Sequence, residues 1–217
     1  TASGLFEARL CHEEMPLKEN HVFNPAFREE DMDEILRICD HIVFNSMRQL
    51  SLYGAKAKAS GLQVGVRINP QHSTQSAEHA IYDPCAEGSR LGITLDEFEE
   101  AISGKPELLG LLDGLHFHTL CEQDSDALER TLPAVEEKFG DVLPRMKWLN
   151  MGGGHHITRP GYAIPRLERC IQRAQDTWGV QVYLEPGEAV ALNAGYLITS
   201  VMDIVSNGME IAILDAS

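Results

Sequence analysis

Short apolar, β-rich runs alternate with amphipathic stretches along almost the whole chain, and few folds accommodate that pattern. The runs His21–Phe23, Ile42–Asn45, Leu62–Ile68, Gly114–His118, Trp148–Met151 and Val182–Glu185 read as strands. Between them, Glu29–Cys39, Ser46–Tyr53, Leu95–Ser103, Asp124–Phe139 and Pro165–Trp178 carry the apolar spacing of helices. Thr94 stands before Leu95 with Glu97 three residues on, the spacing of a capping box. Strands separated by helices pair in parallel, because each crossover returns the chain to the same end of the sheet. At 217 residues the chain is long enough to bury one sizeable core, and one domain fits better than two.

An open doubly wound sheet and a closed (β/α)8 barrel of the TIM type both satisfy this alternation. The barrel is favoured because chemically distinctive residues stand at the ends of several successive strands: Arg67, His118, Gly152–Gly154 and Glu185. Barrels build their sites from the C-terminal ends of many strands, whereas open sheets concentrate theirs at one switch point. About six β/α units are visible, and the chain opens in a turn feeding a helix (Thr1–Cys11). The expectation is therefore an incomplete barrel within something longer. From Gly195 the helical period gives way to β-rich runs, Tyr196–Val205 and Ile211–Leu214. Residues 1–194 are assigned to the central part of the barrel and 195–217 to strands leading into a β domain. Asn69–Leu91 has no clear period, and a loop of that length in a compact domain is usually functional.

Composition narrows the partners. A net charge of −15 argues against a nucleic-acid partner, whose backbone needs clustered cations, and would suit a cationic substrate or simply solubility. No apolar run approaches the roughly 18 residues of a membrane span. Cys11, Cys39, Cys85, Cys121 and Cys170 are odd in number and lack CxxC spacing, which points away from a disulfide framework and towards a reducing cytoplasm.

Four features carry chemistry. Gly152–Gly154 follow a strand directly, either opening the backbone to a phosphate or making a tight turn. His116 and His118 lie two apart at a strand end and share a face. They suit a metal pair, a ring stacked on a flat cofactor, or hydrogen-bonded core positions. His155 and His156 add to the metal reading, but no complete ligand motif accompanies them. Glu185, fixed by the Pro-Gly that follows, suits either a protonated ring nitrogen or an ion pair. Arg67 points into the barrel and needs an acidic or phosphate partner. A phosphate cradle, a stacking ring and a carboxylate for a ring nitrogen together match what pyridoxal 5'-phosphate requires.

GLHFHTLCEQ (114–123), WLNMGGGHHIT (148–158), YLEPGEA (183–189) and YDPCAEGSRLG (82–92) resemble carboxynorspermidine decarboxylases. These form a branch of the fold-type III pyridoxal phosphate decarboxylases, beside the ornithine and diaminopimelate enzymes. The resemblance covers the whole chain. It implies decarboxylation of carboxynorspermidine or carboxyspermidine by a homodimer. It further implies that His118 stacks on the pyridine ring, Gly152–Gly154 hold the phosphate, and Glu185 pairs with the pyridinium nitrogen. Arg67, His155 and Gly187 fall in the cofactor pocket, and Cys121 takes a position often held by a phosphate-binding Ser.

Two departures accompany it. Many relatives read EPGR where this chain has Glu188, which is expected to meet a substrate ammonium instead. The family forms its Schiff base through a Lys on an early strand, and Lys18, Lys56, Lys58, Lys105, Lys138 and Lys147 all lie outside a matching motif. The C-terminal dimer-crossing segment is not matched either, so this stretch alone is not expected to turn over substrate. The rival readings are another amino-acid decarboxylase of the same fold, a metal-dependent barrel hydrolase using the histidines, and a non-catalytic cofactor carrier.

Overall fold

The computed structural model describes residues 1–76 and 82–216. Six strands form one parallel sheet: β1 (His21–Asn24), β2 (His41–Phe44), β3 (Gln63–Arg67), β4 (Gly114–His116), β5 (Trp148–Asn150) and β6 (Gln181–Tyr183). Their order across the sheet is their order in the chain. This distinguishes a curling barrel wall from a doubly wound sheet, which reverses direction at a switch point. Ala2 pairs in parallel with Val22, so the chain before α1 (Leu5–Glu14) extends the sheet beyond β1. The two sides of the curl meet through side chains: Tyr183 Oη donates to Glu19 Oε2 at 3.1 Å, and Thr1 Oγ1 donates to Glu185 Oε1 at 2.6 Å.

Helices α2 (Glu29–Ile38), α3 (Met47–Ala59), α4 (Leu95–Gly104), α5 (Ser125–Phe139) and α6 (Ile164–Trp178) connect the strands. The Thr94 capping box is present: Thr94 Oγ1 accepts from the Glu97 N–H, and Glu97 Oε2 accepts from the Thr94 N–H. Helix α6 begins with Pro165 in its first turn and stops at Gly179, whose φ of 71° is the left-handed conformation of a helix C-terminus. It buries Leu167, Cys170, Ala174 and Trp178 along one stripe, as the apolar spacing requires.

In the sheet interior one large ring lies over two bare strand positions, beside the rings of His41 and Tyr183. Gly65, Gly114 and Trp148 are neighbours across β3, β4 and β5, and the buried indole lies over both glycines. A Cβ at Gly114 would stand 2.0 Å from the ring, and one at Gly65 2.3 Å. Two strand glycines cost about 1–2 kcal/mol together. That is less than the roughly 4–6 kcal/mol of apolar burial an indole supplies.

The tail is separate from this sheet. Strands β7 (Val201–Ser206) and β8 (Glu210–Leu214) form an antiparallel hairpin, exposed along its length, with Gly208 at φ 72° in its turn. No helix among the described residues is long and apolar enough to cross a membrane. Several boundaries differ from the sequence reading. Strands β4 and β6 end at His116 and Tyr183, two residues before His118 and Glu185, because the chain there leaves the ladder to build loops. Helix α3 runs on to Ala59, and a short α7 (Gly187–Ala191) was not anticipated. In the aperiodic segment, Asn69–Ser76 has no helix or strand, and residues 77–81 lie outside the described residues.

Replacing Gly114 with Ala should destabilise the fold by roughly 1–3 kcal/mol through overpacking against Trp148. Urea denaturation followed by indole fluorescence should show a lower midpoint with a shifted native emission. An unchanged midpoint would mean the ring is free to move.

Candidate active site

Because the strands are parallel and in chain order, their C-terminal ends lie side by side, and three loops converge there. Glu185, two residues past β6, donates its N–H to the Gly152 carbonyl at 2.8 Å. Asn150, the last residue of β5, bridges the two loops: its Nδ2 donates to Glu185 Oε1 at 2.6 Å, and its Oδ1 accepts from the Gly152 N–H at 2.8 Å. The Gly153 N–H donates to His118 Nδ1 at 3.3 Å. Arg67, at the end of β3, donates from Nη2 to the His118 carbonyl at 3.0 Å, and its guanidinium lies 4.9 Å over the Phe23 ring.

The glycine run is a steric requirement of this convergence. Gly152 and Gly154 have φ values of 71° and 79°. A Cβ at Gly152 would stand 2.5 Å from the Phe117 carbonyl oxygen, at Gly153 2.4 Å from that of Glu185, and at Gly154 2.2 Å from that of Leu120. Only glycine lets the β5 loop pass between its two neighbours.

Burial and charge sort the ionisable groups. Burial works against ionisation of Glu185, but His116 and the hydrogen bonds from Thr1 and Asn150 outweigh it and hold the carboxyl below its usual range. His118 is pushed down by burial and then by the Arg67 charge. With Nδ1 accepting from Gly153, the neutral ring carries its proton on Nε2. His116 is fully buried and pushed down to about 3, and its Nε2 lies 3.6 Å from Glu185 Oε2. Arg67 is lowered by burial to about 10, against the pull of Glu185, and stays charged at neutral pH.

The structure thus brings together Arg67, His118, Gly152, Gly153 and Glu185. His155 is buried just beyond the glycines, with the Met151 backbone as a hydrogen-bonding neighbour. Cys121 lies half-buried in the loop after β4, where it lines a cavity of about 400 Å³ with Thr74, Tyr82 and Gln123. Gly187 opens α7, and Glu188 on that helix has its Oε2 3.1 Å from His156 Nε2. Asn150 and Thr1 were missed. An Asn at a strand end, two residues before a glycine run, was the available signal for the first; nothing in the sequence marks the second. Five lysines are engaged away from the site: Lys58 and Lys147 with Asp113, Lys56 with Asp33, Lys105 with Ser51 and Lys138 with Gln71. Lys18 lines the cleft that also reaches Glu185.

No family model matches the chain. It is 46% identical, over its whole length, to a carboxynorspermidine/carboxyspermidine decarboxylase of Campylobacter jejuni, of which it covers 54%. The chain is a homologue of these decarboxylases. It is also 38% identical to a carboxyaminopropylagmatine decarboxylase of Synechocystis, over 94% of the chain and 51% of that protein. The crystal structure of the Campylobacter jejuni carboxynorspermidine decarboxylase complexed with norspermidine superposes with a TM-score of 0.80. That pair is 44% identical over 99% of this chain and 53% of the other. A diaminopimelate decarboxylase structure, 18% identical with a TM-score of 0.68 over 94% of this chain and 50% of its own, shares the fold alone. The six-stranded wall is therefore part of the decarboxylase barrel. The chain spans about half the length of the curated relatives it matches.

The buried histidines give a pH signature. Burial lowers His41 and His155 to about 4 and His116 to about 3, from 6.5. As pH falls below about 6.5 the unfolded chain takes up protons that the folded chain refuses, so the histidines' share of stability should be lost down to about pH 3, and the depressed carboxyls of Glu185 and Asp113 add to the fall at the acid end. Urea midpoints measured from pH 7 to 4 should decline, and more shallowly in His116→Gln. An identical slope in that variant would remove His116 from the cause.

Proposed function

We propose that the protein is a pyridoxal phosphate-dependent decarboxylase of carboxynorspermidine or carboxyspermidine, acting in polyamine biosynthesis. The observation that carries this reading is the convergence of an ionised Glu185, a neutral His118 and the Gly152–Gly154 loop at adjoining strand ends. The identity to the Campylobacter jejuni decarboxylase supports it.

The residues fit the cofactor. Glu185 is a buried carboxylate kept ionised, suited to hold a proton at a ring nitrogen. His118 offers a neutral imidazole fixed by Gly153, which can lie against an aromatic ring without adding charge. Gly152–Gly154 bring backbone rather than side chains to the strand end, as a phosphate-binding loop does. Arg67 makes no ion pair among the described residues and leaves a guanidinium charge to balance an anion. Buried His155 and Gly187 at the start of α7 complete the proposed pocket, with Cys121 at its edge. Pyridoxal phosphate, when bound, supplies an electron sink for the pair left as CO2 departs. Asn150 keeps Glu185 aimed, and its loss would free the carboxylate to rotate.

Glu188 is the proposed contact for a substrate ammonium. It is partly exposed and paired only with His156, so its charge is available at the loop surface. Homodimerisation belongs to the same reading, and light scattering tests it. Five free cysteines suit a reducing compartment such as the cytoplasm. One observation favours a second reading: His116, His118 and Glu185 place possible ligand atoms within 4.8 Å of one another, as a metal-dependent hydrolase would need.

The test uses the full-length protein with pyridoxal phosphate, carboxynorspermidine and carboxyspermidine, reading CO2 release. Activity on either, lost by at least about 100-fold in Glu185→Gln, supports the reading. Activity that needs a metal and not the cofactor would replace it with the hydrolase. Glu188→Gln should raise KM with kcat little changed, because an ammonium contact remote from the reacting carbon binds ground and transition states alike. An unchanged KM would end that role.

A further inference from the structure

One side chain holds the loop after β3 beside the proposed pocket. Gln123, in the loop after β4, accepts at Oε1 from Thr74 Oγ1 at 2.9 Å and from Gln75 Nε2 at 3.0 Å. Its Nε2 donates to the Thr74 carbonyl at 2.7 Å. The Gln123 backbone makes separate bonds to the loop after β5. Its N–H donates to the Gly154 carbonyl at 2.9 Å, and its carbonyl accepts from the His156 N–H at 3.1 Å. We propose that Gln123 is a positioning residue for the substrate. It fixes Thr74 and Gln75 as one wall of a cavity that receives an ammonium group at the end of the polyamine remote from the reacting carbon. The inference rests on the proposed substrate class and adds the place where that chain ends.

The cavity itself supports this assignment. It holds about 400 Å³, with Thr74, Gln75 and Tyr82 on one side and Cys121, Glu122 and Gln123 on the other. Glu122 carries the one formal charge among these six side chains at neutral pH, and Tyr82 supplies an aromatic ring. A carboxylate and a ring face both attract an ammonium, and the hydroxyl and amide groups of the wall can accept its remaining protons. The Cys121 thiol at the cavity edge is pushed up by burial and then by the charges of Glu122 and Glu188, so the two carboxylates share one neighbourhood. A polyamine offers more than one ammonium, and one can meet Glu188 while another meets Glu122. Glu122 lies at φ 53°, a left-handed conformation rare for a residue with a side chain, and the backbone bonds of Gln123 hold the turn that follows it.

The division between side chain and backbone sets the expected effect. Gln123→Ala removes the bonds to Thr74 and Gln75 and leaves those to Gly154 and His156 in place. The cavity wall loosens while the glycines keep their conformation. Substrate binding should therefore suffer and cofactor binding should not, a split that general destabilisation would not produce.

The test uses full-length holoenzyme and norspermidine, the product of the proposed reaction on carboxynorspermidine, titrated by calorimetry. Gln123→Ala should weaken norspermidine binding at least about 5-fold, with pyridoxal phosphate affinity unchanged. Thr74→Val, which removes one of the same bonds from the other side, should weaken it in the same direction. Hydrogen exchange should quicken in Asn69–Ser76 of Gln123→Ala and stay as in wild type in β4 and β5. Equal norspermidine affinity in wild type and Gln123→Ala, or unchanged exchange in Asn69–Ser76, would overturn the inference alone. Loss of cofactor affinity in place of norspermidine affinity would also overturn it, assigning the wall to the phosphate. A wild type that neither binds norspermidine nor releases CO2 from carboxynorspermidine or carboxyspermidine would overturn the proposed function and this inference with it.

Discussion

The arrangement depends on Trp148 lying across Gly65 and Gly114. A six-stranded parallel sheet has two faces to cover; helices cover the outer one, and the inner one must be filled by its own side chains. One indole spanning two bare strand positions covers much of this face, with the rings of His41 and Tyr183 beside it, while ladder hydrogen bonds hold β3, β4 and β5 side by side. Their C-terminal ends then come near enough for the loops after β4, β5 and β6 to interlock. The glycines after β5 serve the same end, letting backbone pass where side chains would collide. Core packing and site assembly are thus one constraint seen at two heights along the same strands.

Electrostatics at the strand ends follows from that packing. Burial alone would neutralise Glu185, yet the carboxylate stays charged because Asn150 and Thr1 donate to it. Burial also keeps the histidines neutral. The result is a pocket with one anion, one cation in Arg67, and uncharged rings between them. A flat, charged cofactor is better served by such a pocket than by one with several cationic imidazoles.

Much of this was legible in the residue order. The alternation of runs located every strand of the main sheet, and the capping pair at Thr94 and Glu97 located a helix start to the residue. Arg67, His118, Gly152–Gly154 and Glu185 could be singled out because each is chemically out of place at the end of an apolar run. What was not legible arose from tertiary register. Asn150 looks like an ordinary polar strand end until β6 is laid beside β5. Thr1 is far from Glu185 in the chain and meets it only when the sheet curls. The last residues of β4 and β6 look extended in sequence, but the ladder stops early because its neighbours have already turned into loops. Helix α7 is short, and its five residues carry too few turns to show a period.

The sequential strand order has a kinetic side. Each strand pairs with the one nearest in the chain, so the sheet can grow unit by unit with short loops to close, and no strand waits for a distant partner. The exception is the seam where the curl meets itself. There the Thr1–Glu185 and Glu19–Tyr183 contacts join residues more than 160 apart, through side chains rather than a backbone ladder. Amides around Trp148, in strands paired on both sides, should exchange more slowly than those of β6, which is paired on one side.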